Sequence, residues 1–371
     1  MEIIGQDGII TQSKRGNKKC EMFLPSAGIY HNLPRNVPMK MVWLNNNDQN
    51  IPDHAIPPHD YTKGKSRNFA RSMTRSQIML ERAASVVQYA SMSYYHWVTE
   101  GLGRFLLLLP FLKKHSEMYL ILPNSPTGHE NHFIIQYVRI VAPFMFNPVN
   151  TTSRIVWYNS ESLVPIDTRL RVKKLYYANW NPMTSISHCL VPGNVLRLIR
   201  SSFVKSFSSS VIVDERSKTT KQLVIFCVRN NVSMRKFRDS TGLLEGLEEL
   251  LSESSSHSFI RFEGNQDVRE QIDMFSRAAI VVGVHGGSLA NIVFCAPETV
   301  VFEIGFHTPQ TDHYAHTSRE LNLEYHRVDA LADGDVSSVS SEFVYIDKSS
   351  SNEILKRVAE KINYVGHVDE L

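Results

Sequence analysis

From 222 to 328 the sequence alternates short strand candidates with amphipathic helix candidates, and this alternation restricts the fold more than any other feature. QLVIFCV (222–228), SFIRF (258–262), AIVVGV (279–284), TVVFEI (299–304) and EYHRV (324–328) read as strands. Between them LLEGLEELL (243–251), DVREQIDMFSRA (267–278), GGSLANIVF (286–294) and YAHTSRELN (314–322) read as helices. A strand buried on one face only would alternate apolar and polar residues. Runs that are apolar throughout are buried on both faces, the condition of strands in a parallel sheet with helices on either side. Ligands of such sheets bind at the carboxyl edge, where strands end and helices begin.

The preceding half is less regular. YYHWVTEGLGRFLLLLPFLKKH (94–115) is a helix candidate despite Gly101 and Gly103, with a kink expected at Pro110. MYLIL (118–122), RIVWY (154–158) and VKKLYYA (172–178) read as strands, and 131–141 and 193–207 as helices. The apolar spacing over 65–89 is partly helical, and the Asn-, Pro-, Asp- and Gly-rich first 60 residues read as an irregular lead-in. This mixture also suits an α/β fold. The Ser-rich, charged stretch 206–221 marks the expected domain boundary. A chain of 371 residues exceeds what one core usually supports. The expected organisation is a lead-in over 1–60, an α/β domain over 61–208, a ligand-binding α/β domain over 209–345 and a C-terminal helix over 346–371.

An apolar fraction of 42% with 21% charged residues excludes disorder throughout, and a net charge of +3 is too small to argue for nucleic acid. The longest apolar run, 105–112, ends at Lys113 and Lys114 and is too short to span a bilayer. The first 20 residues lack the apolar centre of a signal peptide, so the polypeptide as it stands is expected to be soluble. Cys20, Cys189, Cys227 and Cys295 are scattered without a C-x-x-C pair, which argues against structural zinc. Cys227 and Cys295 read as small core residues.

Three turns at the carboxyl edge carry unusual residues. The first places Arg229, Arg235, Lys236 and Arg238 directly after an apolar strand. Guanidinium groups match phosphate because their planar fork donates two parallel charge-assisted hydrogen bonds. The plainer reading is a solvated basic loop, but the position at a strand end favours an anion site. The second turn, VVGVHGGSLAN, holds Gly283, His285, Gly286, Gly287, Ser288 and Asn291. Glycines allow close backbone approach, and a helix starting near Gly287 would offer free N–H groups to a pyrophosphate. A tight structural turn with a packed histidine would look the same. The third is Glu303, the acid within TVVFEI, equally consistent with a ribose contact and with an ion pair. In the N-terminal half His96, Glu100 and Arg104 fall at i, i+4 and i+8 beside Trp97. A carboxylate next to an imidazole can serve as a general base with an orienting partner; Glu100 and Arg104 can equally form a surface ion pair.

These segments resemble glycosyltransferase family 61. The group includes plant β-1,2-xylosyltransferases, arabinoxylan xylosyl- and arabinosyltransferases, and animal O-linked GlcNAc transferases of EGF domains or O-mannose. An N-terminal signature of aromatic-His-Trp, Glu and an apolar run is present as YYHWVTEGLGRFLLLL. A middle signature, an Arg after a strand followed by a basic pair, is present as VRNNVSMRKFRD, onto which Arg229, Arg235 and Lys236 carry over. The most specific signature, Val-Gly-x-His-Gly-Ala-Gly-Leu-x-Asn with a following Pro and x-x-Glu-Ile strand, is present as VVGVHGGSLANIVFCAPETVVFEI. Gly287-Ser288 stands where the family has Ala-Gly, and Asp239-Ser240 where it has Asn-Glu, so no role carries over to that last pair. The likeness covers 94–115 and 222–328.

The resemblance implies an α/β fold of GT-B type, with two facing Rossmann-like domains and parallel sheets. It implies an inverting transfer of xylose, GlcNAc or arabinose from a UDP-sugar to a glycan or glycoprotein hydroxyl. Glu100 with His96 is then the expected base. Arg229, Arg235 and the helix at Gly287 are expected to stabilise the leaving diphosphate, His285, Asn291 and Glu303 to contact the uridine and ribose, and Lys236, Gly286 and Ser288 to complete the nucleotide-sugar site. Asp333-Gly334-Asp335 lies in a polar loop past these motifs and reads as a turn. No metal or other cofactor is expected to be obligatory, and the partners expected are donor and acceptor, with no nucleic acid. Family members work in the Golgi or endoplasmic reticulum lumen behind an anchor that this sequence does not display. Asn150-Thr151-Thr152 and Asn231-Val232-Ser233 are sequons, the second expected to stay unmodified in the phosphate loop. A catalytically inactive sugar-nucleotide or glycan-binding protein of the same fold is the alternative. A dehydrogenase is disfavoured, since the G-x-G-x-x-G fingerprint is missing and the first turn is rich in Arg.

Overall fold

A computed structural model describes residues 2–4, 10–12, 76–86, 93–123, 132–146, 154–158, 168–178, 190–208, 222–229, 234–252, 254–306, 312–332 and 341–362. The chain divides into two compact units, Met1–Pro182 and Met183–Leu371. The sequons, Cys20, Cys189 and Asp333-Gly334-Asp335 lie outside the described residues. No described helix is long and apolar enough to cross a membrane.

The first unit contains β1 (Glu2–Ile4), β2 (Ile10–Gln12) and β3 (Ser76–Ser85). A helix follows as α1 (Tyr94–His96), a π-helical stretch Trp97–Gly101 and α2 (Leu102–Lys114), and then β4 (Tyr119–Pro123), α3 (Phe133–Val141), β5 (Ile155–Tyr158) and β6 (Thr168–Ala178). The strands lie in the order β2-β1-β6-β3-β4-β5. All neighbours are parallel except β1 and β2. Two segments differ from the sequence reading. Residues 76–85 form a central strand where partly helical spacing was expected, and 2–4 and 10–12, within the supposed irregular lead-in, pair at the sheet edge. The helix over 94–114 is as expected; it buries Trp97, Val98, Leu102, Phe105, Leu108 and Leu112 completely and continues through the exposed Pro110.

The second unit contains α4 (Gly193–Ser208), β7 (Gln222–Cys227), β8 (Lys236–Phe237), α5 (Leu243–Ser252), β9 (His257–Phe262), α6 (Val268–Ser276) and β10 (Ala278–Val284). A 3₁₀ helix, Gly287–Phe294, leads to β11 (Val300–Gly305), α7 (His313–Leu321), β12 (Glu324–Asp329), β13 (Leu331–Ala332), β14 (Phe343–Tyr345) and α8 (Lys348–Lys361). The main sheet has the order β12-β11-β10-β7-β9 and is parallel throughout. On one face Val224, Phe226, Ile280 and Val282 pack with Leu243 and Leu247 of α5 and Ile354 and Val358 of α8. Cys227 and Cys295 are buried free thiols, both with the thiol pKa pushed up by burial. The fully apolar strands are thus the doubly covered ones.

Counted within this sheet, the strand order is second, first, third, fourth, fifth. The chain therefore leaves β7 toward one side and β10 toward the other, and the crevice between their carboxyl ends is the ligand site of this topology. Asp239, where no role was expected, caps α5: its carboxylate accepts from the N–H groups of Leu243 (2.9 Å) and Leu244 (2.8 Å).

The division at Pro182 falls ahead of the 206–221 stretch expected to separate domains. Helix α4 packs in the second unit because its arginines satisfy carbonyls at the C-terminal end of α7. Arg197 donates to the Glu320 carbonyl (2.9 Å), Arg200 to that of Leu321 (3.3 Å), and His316 of α7 meets the Val191 carbonyl (2.7 Å).

Candidate functional site

The switch-point crevice is lined by Arg229 after β7 and by His285, Gly286 and Gly287 after β10. Gly286 has φ 169° and ψ 176°, extended geometry that any residue adopts. What demands glycine there is space: a Cβ would lie 1.6 Å from Nη1 and 2.6 Å from Cζ of Arg229. The guanidinium therefore lies directly on the Gly286 backbone. Tyr314 fixes that backbone from behind by donating its hydroxyl to the Gly286 carbonyl. Gly283, by contrast, makes room for the protein itself, since a Cβ would come within 2.8 Å of the Cys227 Cβ.

Arg229 donates from Nη2 to the Met234 carbonyl (3.4 Å), while its Nε is buried without a hydrogen-bond partner. Among the described residues no carboxylate pairs with it. Burial first, and then the neighbouring Arg235 cation, pull its pKa down to about 10. Arg235 stands in the left-handed region at φ 58°, a conformation that costs a non-glycine residue on the order of 1 kcal/mol. Its N–H donates to the Ser341 carbonyl (2.7 Å), and the next residue starts β8, which pairs with β14. Strained backbone thus holds a second guanidinium near a half-buried first one. Such a pair is disfavoured alone and stabilised by an anion.

The sign of this effect is testable. A cation whose pKa is lowered on folding destabilises the native state at every pH below about 10, with relief as the pH climbs toward the ordinary arginine range. Arg229→Met keeps the apolar stem and removes the charge. It is expected to raise the melting temperature of the ligand-free protein at neutral pH, read by differential scanning calorimetry; a fall would mean that the guanidinium is a structural donor.

The other residues expected to hold ligand sort differently. Lys236 forms an exposed ion pair with Glu342 (3.1 Å) and lies over the Phe343 ring (5.4 Å), an anchor for β8. Ser288 and Asn291 follow Gly287 in the short helix expected over 286–294, which is a 3₁₀ helix. Asn291 is completely buried; its Nδ2 donates to the Ser288 carbonyl (3.2 Å) and to Gln271 Oε1 (3.3 Å), so it braces the turn from inside. Glu303, expected at the ribose, is also completely buried. One carboxylate oxygen bonds Nδ1 of His285 and the other accepts from the Tyr325 hydroxyl. Glu303 is therefore turned inward onto Tyr325 and onto His285, whose side chain is 10% exposed and rests against the rings of His313 (5.0 Å) and Tyr314 (5.4 Å).

In the first unit, His96 Nδ1 and Glu100 Oε1 are 2.8 Å apart, with the two side chains 16% and 10% exposed. The π-helical turn between them widens the helix, a distortion common at functional sites. Gly101 permits it, since a Cβ would press to 2.7 Å on the buried Trp97 ring. Arg104, also buried, donates to the main-chain carbonyl of Glu100 (3.0 Å). The carboxylate is thus oriented by His96 on a rigid, apolar-packed helix.

Sequence comparison agrees with the signatures that built these sites. The sequence model described as Glycosyltransferase 61 matches residues 94–302, more than half of the chain and from the His96–Glu100 helix to β11. The beta-1,2-xylosyltransferase RCN11 of Oryza sativa subsp. japonica is 33% identical over 64 residues, which span 17% of this chain and only 12% of the rice protein. Among solved structures, the dodecameric iron-containing heptosyltransferase TibC, determined with ADP-D-beta-D-heptose, aligns over 80% of each chain at 11% identity and a TM-score of 0.32. With its signature residues gathered at one strand edge and on one helix, and the family match running across both, this chain belongs to glycosyltransferase family 61.

Proposed function

We propose that the protein is an inverting glycosyltransferase of the GT-B type that uses a UDP-sugar, of the xylose, GlcNAc or arabinose kind, and transfers the sugar to a glycan or glycoprotein hydroxyl. The observation that carries this reading is the Arg229 guanidinium, set at the switch point against the bare backbone of Gly286, with the Arg235 cation near enough to lower its pKa. Loss of a nucleoside diphosphate develops negative charge, and preorganised cations stabilise it without a metal. Glu100, held by His96, takes the proton of the acceptor hydroxyl. The work is placed in the Golgi or endoplasmic reticulum lumen, where the family acts.

Calorimetric titration with UDP and with uridine, in the presence of a chelator, tests the phosphate clamp. Arg235→Ala is expected to weaken UDP by about 1.5–3 kcal/mol, the scale of one charge-assisted hydrogen bond, and to leave uridine nearly unchanged. Equal losses for both, or UDP binding that vanishes with the chelator, would remove the arginines from that role.

A further inference from the structure

The hydrogen bonds behind His285 run in one direction. Arg327 has donors only: its guanidinium gives one to Asp312 (3.2 Å) and its Nε gives one to the Tyr325 hydroxyl oxygen (3.1 Å). Tyr325 must then turn its own proton away from Arg327, toward the Glu303 oxygen that accepts it. Burial, followed by the Glu303 charge, pushes the Tyr325 pKa up, so the phenol keeps the proton it donates. Glu303 receives a second donor at its other oxygen, Nδ1 of His285. A carboxylate only accepts, at both of its oxygens, so the proton of this bond is the one on Nδ1. The Arg229 guanidinium already occupies the adjoining Gly286 backbone, which disfavours a second buried cation on the ring. Nε2 makes no hydrogen bond to the described residues, and as the unprotonated nitrogen of a neutral ring it can only accept.

We propose that Arg327 and Tyr325 are positioning residues that fix the hydrogen-bond polarity of His285 through Glu303, so that Nε2 accepts from a hydroxyl of the bound sugar nucleotide. A phosphate oxygen, itself an acceptor, is rejected at this nitrogen and belongs to Arg229 and Arg235. The choice of a sugar-nucleotide hydroxyl rests on the function proposed above; the polarity does not.

NMR of the full chain with ¹⁵N-labelled histidine reads the polarity without ligand. At neutral pH His285 is expected to be neutral and protonated on Nδ1. In Glu303→Gln the Tyr325 proton, still directed by Arg327, selects the amide oxygen, turns the NH₂ toward Nδ1 and moves the ring proton to Nε2. A doubly protonated ring in the wild type, or an unchanged tautomer in the variant, overturns the proposal. Should Glu303→Gln not fold, Tyr325→Phe provides the second reading, titrated with pyrophosphate, UDP, UDP-xylose and UDP-GlcNAc. Pyrophosphate affinity should stay within about twofold, while ligands with the recognised hydroxyl weaken roughly fivefold, the effect of one imperfectly held hydrogen bond. A loss already present for UDP places the hydroxyl on the ribose; a loss confined to the UDP-sugars places it on the transferred sugar. Pyrophosphate weakened as much as the rest, or no ligand affected, defeats the assignment. A wild type that binds none of the UDP ligands defeats the sugar-nucleotide reading instead, and the NMR result then still decides the polarity.

Discussion

Glu100→Gln is expected to lower sugar transfer by roughly a hundredfold or more, the scale of a general-base contribution, with UDP affinity almost unchanged. Glutamine keeps the size of the side chain and one acceptor oxygen for His96, now 2.8 Å from the carboxylate, but cannot take a proton. The residue belongs to the first unit and the Arg229 crevice to the second, so donor binding has no reason to change. The carboxylate is largely buried, and its main-chain carbonyl is held independently by Arg104. The helix should therefore survive the exchange. Melting temperature, UDP affinity and transfer rate measured on one preparation separate the possibilities. A stability loss with a normal rate would make Glu100 a structural partner of its helix and leave His96 as the base.

What could be read from the sequence follows what each signal physically reports. The strands β7, β10 and β11 were legible because burial on both faces leaves no polar position to blur the run. β3 was not legible, because SQIMLERAAS consists mostly of residues that favour helices. Pairing with β6 on one side and β4 on the other overrides that preference. The carboxyl-edge turns were where ligand was expected, and the structure brings Arg229 of the first turn onto Gly286 of the second, next to His285. The inward roles of Glu303 and Asn291 could not be read in advance, since both are decided by tertiary neighbours. Glu303 finds Tyr325 only because β12 pairs with β11 in the register that sets Arg327 opposite Glu303. A hint was available: EYHRV is the least apolar strand of the sheet, and Tyr325 and Arg327 share the face that Glu303 needs satisfied. The π-helical turn had its hint too, in a glycine placed four residues after a tryptophan that must be buried.

Gly286→Ala is expected to remove UDP binding almost as completely as loss of Arg229 itself, while hardly disturbing the fold. The backbone at this position is extended, so alanine adopts it without strain. The new methyl would sit 1.6 Å from Arg229 Nη1, which is the far end of a flexible side chain and can swing away. It then no longer presents its fork where the diphosphate lies, and the methyl takes the space over the turn. Two charge-assisted hydrogen bonds lost together amount to about 3–6 kcal/mol, a fall in UDP affinity of at least about a hundredfold, with uridine little affected. Because both changes act on one contact, they should not add: Gly286→Ala in the Arg229→Met background should cost little more than Arg229→Met alone. Additive losses would show that the glycine and the arginine serve the ligand separately. A large drop in melting temperature, with UDP and uridine weakened alike, would show that Gly286 is there for packing and would take the phosphate clamp away from this turn.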